Sequence, residues 1–394
     1  MMSENPMMRF IERALKTVGP RPSCSKEERA LGHILETDWQ DFCDDVRADA
    51  FSCAPHAFLG VIPIAAGMSL LSIGILSHLP WLSALISGFA ASVVIWELLF
   101  YRELADRVFP SKQGVNVIGI IPPNKEVRRR VVLTAHQDSA WEFNLWYWFK
   151  SAGVVINLLG LVGMLVPLVL GLLVTFDVLA ADGSTCIWSS VLVAPFIALH
   201  LFFHTGNIVP GAMDDLAGLA VITEAGRSLA AQRLDHTEIW LVACSAEECG
   251  LRGSKRFVAK YGWVLHQLPT WDINIDGVYD EAYLAAVTRE LTTGTVHDPN
   301  LVSLAQSVAD NNGWKMQRAV IPFGGTDAAS FASAGIRSVA LLCQDTNTLA
   351  PNYHTRLDTL DRVRPESLTV MHGVVTGMVS AIDQGFLDAP SSPE

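Results

Sequence analysis

Between Asp49 and Glu97 the chain carries no Asp, Glu, Lys or Arg. A folded soluble domain has few ways to bury such a run. Residues 57–77 are long enough to cross a bilayer as a helix, and residues 81–101 are long enough to return, since a span takes about 20 apolar residues. A second pair follows, because 152–176 and 185–205 are also uncharged. Trp81, Tyr101, Trp146, Tyr147, Trp148 and Trp188 flank these stretches, as residues of a membrane interface do. Half of the 394 residues are hydrophobic, 17% are charged and the mean hydropathy is +0.31, all on the membrane side of ordinary soluble composition. The expectation is two transmembrane helical hairpins, 57–101 and 151–205. The competing arrangement, two apolar hairpins inside a soluble core, would require burying both pairs without lipid.

Lys and Arg placement sets the expected orientation. The turns at 78–80 and 177–184 carry neither, whereas residues 1–56 carry seven and residues 102–150 carry eight. The positive-inside rule therefore puts both turns outside and the polar part of the chain in the cytoplasm. Residues 1–20 read as an amphipathic helix with scattered charges, with no apolar stretch or cleavage site of a signal peptide. The seven cysteines (24, 43, 53, 186, 244, 249 and 343) show no regular spacing, which fits reduced thiols rather than a disulfide framework. With 28 basic and 40 acidic residues the net charge is −12, and no basic run exceeds Arg128-Arg129-Arg130, so nucleic acid is not an expected partner.

Without the hairpins, the remaining segments (1–56, 102–150 and 206–394) read as one α/β domain. Strand signals at 115–121, 131–135, 239–243, 273–275 and 339–342 alternate with helical patterns such as 216–231. This predicts a mixed, mostly parallel central sheet with helices on both faces. The first two strands, separated by a polar Pro-containing stretch, read as an antiparallel hairpin. The tail 389–394 is Pro/Ser-rich and expected to fray.

Acidic and imidazole residues stand just past these strands: His136 and Asp138 after 131–135, Asp214 before the 216–231 helix, Glu247 and Glu248 after 239–243, Asp276 after 273–275, and His354 beyond 339–342. Ligands of open α/β sheets bind beyond the carboxyl ends of strands, so these groups can converge. Carboxylates brought that close repel one another unless protonated or bound to a cation. Mixed imidazole and carboxylate ligation suits zinc, with manganese or cobalt as less selective substitutes. Two adjacent metals need a bridging carboxylate, and hydrolysis needs a second carboxylate to take and return a proton. Singly, each residue has a plain structural alternative: Asp214 as a helix cap, Glu247-Glu248 as a solvated pair, Asp138 as a surface charge.

The strings Thr134-Ala135-His136-Gln137-Asp138-Ser139, Pro210-Gly211-Ala212-Met213-Asp214-Asp215, Ser245-Ala246-Glu247-Glu248-Cys249-Gly250, Ile275-Asp276 and Tyr353-His354-Thr355 together resemble metallopeptidase family twenty-eight, the co-catalytic zinc aminopeptidases. The turn at 19–23 (Gly-Pro-Arg-Pro-Ser) and the Glu-rich helix after it share the resemblance. It covers nearly everything except the two hairpins. By position it implies two zinc ions, one on His136 and Asp276, the other on Glu248 and His354, with Asp214 bridging them. It implies Glu247 as general base, Asp138 orienting the His136 ring, and a cis peptide between Asp214 and Asp215. Gly324-Gly325-Thr326-Asp327 resembles a substrate-side loop, with Asp327 as the substrate-binding residue.

The chain departs from soluble relatives in placing His136 and Asp214 78 residues apart, the second hairpin filling the gap. The expected function is a multi-pass membrane peptidase of aminopeptidase type, its site close to the bilayer and its substrate a membrane-proximal peptide. Two alternatives use the same scaffold: a one-zinc glutaminyl cyclase-like enzyme, and a non-catalytic membrane receptor or scaffold. A transporter is disfavoured, because the spans hold few ionisable groups beyond Glu97, His200 and His204.

Overall fold

The computed structural model describes residues 5–345 and 352–388, so the tail 389–394 lies outside the described residues. The chain forms two compact units, one of Met1–Cys53, Lys112–Ala140 and Ile208–Glu394, the other of Ala54–Ser111 and Trp141–Asn207.

The first unit is built on nine strands: β1 Asp45–Cys53, β2 Lys112–Ile121, β3 Arg129–His136, β4 Thr237–Cys244, β5 Thr270–Val278, β6 Leu284–Glu290, β7 Thr295–Val296, β8 Gln317–Ile321 and β9 Arg337–Cys343. Their order is β1-β2-β4-β3-β5-β9-β6-β7, with β8 paired to β6. The expected mostly parallel sheet is not what forms. The pairings β3/β4, β3/β5, β5/β9 and β6/β8 are parallel, but β1/β2, β2/β4, β6/β7 and β6/β9 are antiparallel. The parallel pairs at the centre, and β6/β8 at one flank, are joined through helices as parallel strands require, whereas the remaining flank pairs are antiparallel. Nor do the first two expected strands make a hairpin. β4 lies between β2 and β3, antiparallel to one and parallel to the other.

Central strands are buried on both faces, which explains their unbroken apolar runs. Val131, Leu133 and Ala135 of β3, with Ile239, Leu241 and Ala243 of β4, join a core containing residues of the helices Pro6–Thr17, Lys26–Gln40, Ala217–Ala231, Pro299–Asn311 and Pro365–Asp383. The alternate residues Val132, Trp240 and Val242 pack instead with Phe257, Leu265 and Phe331 on the other face. Strand alternation thus distributes one sequence between two helical layers.

The helix Pro365–Asp383 ends where β4 begins. Asp383 accepts hydrogen bonds from the Asp235 and His236 amides (both 2.9 Å) and from the Thr237 hydroxyl (2.8 Å). Burial opposes its ionisation, but these donors outweigh it and hold the carboxyl below its ordinary pKa. A depressed carboxylate stabilises the fold above its unfolded value, about 3.9, and the contribution disappears as pH falls through the folded value. Because Asp383 is largely solvated, Asp383→Asn is expected to cost about 1 kcal/mol at neutral pH. The cost should shrink below about pH 4, read as the difference in thermal unfolding of the two proteins across pH.

The second unit contains four helices long and apolar enough to cross a membrane: Ala57–Ile75, Pro80–Leu99, Ser151–Thr175 and Ser184–Phe202. They support a multi-pass topology. Two discrete hairpins are not what they form. Helix Pro80–Val94 of the first insertion packs on Val166–Thr175 of the second, and Ala57–Ile75 packs on Ser184–Leu199. The third span is interrupted, changing from Ser151–Gly163 to Val166–Thr175, and the short helix Asn144–Phe149 precedes it. Small residues permit the cross-insertion contact. A Cβ at Gly171 would lie 2.7 Å from the Pro80 carbonyl oxygen and 2.8 Å from the Ala84 nitrogen. Ser87 donates to the Met164 carbonyl at 2.7 Å, satisfying a polar group away from water. Outward residues such as Leu85 and Leu192 stay more than 60% exposed in the isolated chain, the expected state of a face that meets lipid.

Candidate metal centre

The two interruptions of the first unit fall at one edge of its sheet. Cys53 pairs with Lys112 across the first, Val117 of β2 pairs with Ala243, and His136, the last residue of β3, pairs with Cys244, the last of β4. The sequence-predicted site residues gather at this same edge.

His136 closes β3. Its Nδ1 lies 3.2 Å from the Asp138 carbonyl oxygen and 3.5 Å from that residue's carboxylate, leaving Nε2 to face Asp214 Oδ1 at 2.9 Å. The other oxygen of Asp214 is 3.2 Å from His354 Nε2, which is also 3.3 Å from Glu248 Oε2. One carboxylate thus offers one oxygen to each imidazole. Glu247 Oε2 stands 4.0 Å from His136 Nε2. Asp276 sits at a register shift between β5 and β9, beside Gly277 with φ +62°, and its charge acts on Asp214, Glu247 and Glu248. Asp327 is buried just before the helix Ala328–Ser333, and its charge also reaches Glu247 and Asp276. The backbone is left-handed at three non-glycine positions here, Ala246, Leu251 and His354, a costly geometry that clusters at functional sites. The Asp214–Asp215 peptide is cis.

Each segment is held from behind through its backbone amides. Asp138 accepts from the Glu247 and Glu248 amides (both 3.1 Å) and from the Ser23 hydroxyl (2.5 Å). Asp215 accepts from the His136 amide (3.2 Å), and Asp358 from the Met213 (2.7 Å) and Asp214 (3.3 Å) amides. Glu28 takes the Ala246 amide at 2.9 Å. Sequence reasoning gave no role to Asp215, Asp358 or Glu28. Their partners lie 79 to 218 residues away, so no local pattern marks them. Tyr353 was also missed. Its ring stacks on His354 at 3.9 Å, and its hydroxyl would lie 3.9 Å from a Cβ at Gly324.

The electrostatics call for a cation. Burial pushes the Glu247 and Glu248 carboxyls well above their usual range; His136 opposes this, while neighbouring carboxylates reinforce it. Burial, with Asp214 next, pushes Asp276 up to about 8. Asp214 behaves oppositely: burial disfavours its charge, but His136 and His354 hold it well below the usual range. Burial also disfavours charge on His136, yet Glu247, Asp138 and Asp214 hold its pKa well above the ordinary value. So many carboxylates around two imidazoles can all be ionised together only with a cation beside them. Glu248 Oε1 is buried without a hydrogen-bond partner. Potential ligand atoms of His136, Asp214 and Glu248 all lie within 4.8 Å of one another. That set of nitrogen and oxygen donors fits zinc.

The model of peptidase family M28 matches residues 197–379. No curated protein matches. Among solved structures, the chain is similar to an aminopeptidase from Aneurinibacillus sp. strain AM-1 (16% identity, 96% of this chain and 94% of that one, TM-score 0.59). It is similar to a zinc aminopeptidase from Bacillus subtilis (15% identity, 97% and 95%, TM-score 0.59). It also resembles a glutaminyl cyclase from Bacteroides thetaiotaomicron (14% identity, 96% and 98%, TM-score 0.58). The chain thus has the fold of these enzymes, the M28 peptidase match over residues 197–379, a triad that could hold a metal ion and four helices of membrane-spanning length, which together support a metal-dependent hydrolase of M28-like fold.

Proposed function

We propose that the protein is a membrane-anchored aminopeptidase using two zinc ions, with manganese or cobalt able to replace them. The observation that carries this reading is Asp214, whose two oxygens face two different imidazoles. His136 and Asp276 would hold one ion, Glu248 and His354 the other, and Asp214 both. Bound ions would supply Lewis acidity toward the scissile carbonyl and make a water acidic near neutral pH. Glu247 accepts the proton of the attacking water and passes it to the leaving amine as the C–N bond breaks. Tyr353 is kept protonated, since burial and then Asp214 and Glu248 push its pKa well above 10. Its hydroxyl is therefore available to donate a hydrogen bond to substrate. Asp327 serves the substrate's amino-terminal side. The catalytic unit takes the cytoplasmic side, on the Lys/Arg distribution, and acts on peptides near the bilayer.

Purified full-length protein should carry two zinc ions per chain and cleave aminoacyl substrates with a free α-amine, but not their acetylated forms. Chelation should abolish turnover, and added zinc should restore it.

A one-metal glutaminyl cyclase-like reading is favoured by the triad His136, Asp214 and Glu248, the sole metal-holding cluster of its kind among the described residues, and by the cyclases that share the fold. It predicts one ion per chain and ammonia released from peptides with amino-terminal glutamine.

A further inference from the structure

We propose that Arg21 is a positioning residue for the metal centre, tying the loop that bears His136 to the loop that bears Asp214; this rests on the metal-dependent reading above. The motif at 19–23 has no part in the chemistry, yet its arginine is fully buried. Arg21 Nε donates to the Gln137 carbonyl (2.9 Å), Nη1 to Pro210 (2.8 Å) and Gly19 (2.9 Å), and Nη2 to Gly211 (3.0 Å). Gln137 adjoins His136, and Gly211 stands three residues before Asp214. The guanidinium therefore spans the two segments that the chain separates by the whole second insertion.

Ser139 doubles the tie. Its hydroxyl donates to the Val209 carbonyl (3.0 Å) and accepts from the Arg21 amide (3.0 Å), while its own amide donates to the Arg21 carbonyl (2.9 Å). The Val209 amide bonds the Ala140 carbonyl at 3.0 Å, closing the base of the insertion. In a chain without an insertion, a short connection would itself limit the separation of His136 and Asp214. Here 67 residues of the second unit intervene (141 to 207), and the covalent path sets no such limit. A planar fork with five donors can reach three carbonyls on the two loops and one in its own turn at once, and an ammonium cannot reproduce that geometry. Burial lowers the Arg21 pKa only to about 10, with Asp358 and Asp138 opposing the fall, so the fork stays charged at neutral pH.

The test is zinc affinity, measured on the full chain in detergent by competition with a chromophoric chelator. Arg21→Lys should weaken zinc binding by roughly 10- to 100-fold, as loss of outer partners of metal ligands does. Ser139→Ala should weaken it in the same direction by less. Thr223→Val, which removes the Trp39 indole bond (3.0 Å) in the core, is the control: it should lower thermal stability and leave zinc affinity unchanged. A folded Arg21→Lys protein with wild-type affinity overturns the proposal. If that variant does not fold, wild-type affinity in Ser139→Ala overturns it instead. Wild-type protein that binds no zinc would sink the metal reading itself, a separate result.

Discussion

Glu247→Gln is expected to lower kcat by about 10³-fold while the protein keeps its full metal content. Glutamine has the shape of glutamate and keeps one oxygen, but it cannot accept a proton at neutral pH. The side chain stands 4.0 Å from His136 Nε2, near the candidate ligands without entering their tightest cluster. Its amide is fixed independently by Asp138, so the substitution leaves the loop in place. A base that acts only in the chemical step changes kcat and kcat/KM together and leaves KM nearly alone. Metal analysis alongside the kinetics separates this outcome from a damaged site. Turnover that survives with metal bound would remove Glu247 from its role as base. Loss of metal together with activity would make it a ligand.

The residues that gather at the sheet edge were legible because each stands in a short string with its own strand or helix signal. His136, Asp214 and Glu248 lie in three such strings, and the fold brings them within 4.8 Å. The membrane-length segments were legible for a similar reason, since absence of charge over such lengths is a local property. What was not legible depends on pairing across distance. Sequence alternation shows that β2 and β3 are strands, but nothing local shows that β4, more than 100 residues later, lies between them. The antiparallel flanks were hidden likewise, because β6 and β9 pair across β7, β8 and two helices. Hairpins were the natural reading of two pairs of apolar runs. Gly171 against Pro80 and Ser87 against Met164 are contacts between insertions that no window over either run contains. The amide-binding carboxylates share that limit: Glu28 looks like one acidic residue among several in a helix's first turn, and its partner Ala246 is 218 residues away.

Asp214→Ala and His354→Ala are expected to separate the two metal stoichiometries, and they differ because of where each side chain stands. Asp214 alone addresses both imidazoles, Oδ1 toward His136 and Oδ2 toward His354. Its removal takes away the shared ligand and leaves the two rings without the charge between them. Asp214→Ala should therefore lose all bound zinc and reduce turnover to background. His354 touches only one side of that carboxylate, together with Glu248 Oε2 at 3.3 Å. If two ions are held, His354→Ala should drop from two to one, because His136, Asp214 and Asp276 remain. If a single ion sits in the His136, Asp214 and Glu248 triad, His354→Ala should keep it. Metal analysis of the two variants beside wild type reads the difference without reference to activity. Two ions retained in His354→Ala would remove that histidine from the ligand set, and Asp214→Ala protein that still binds zinc would remove Asp214 as the bridging carboxylate.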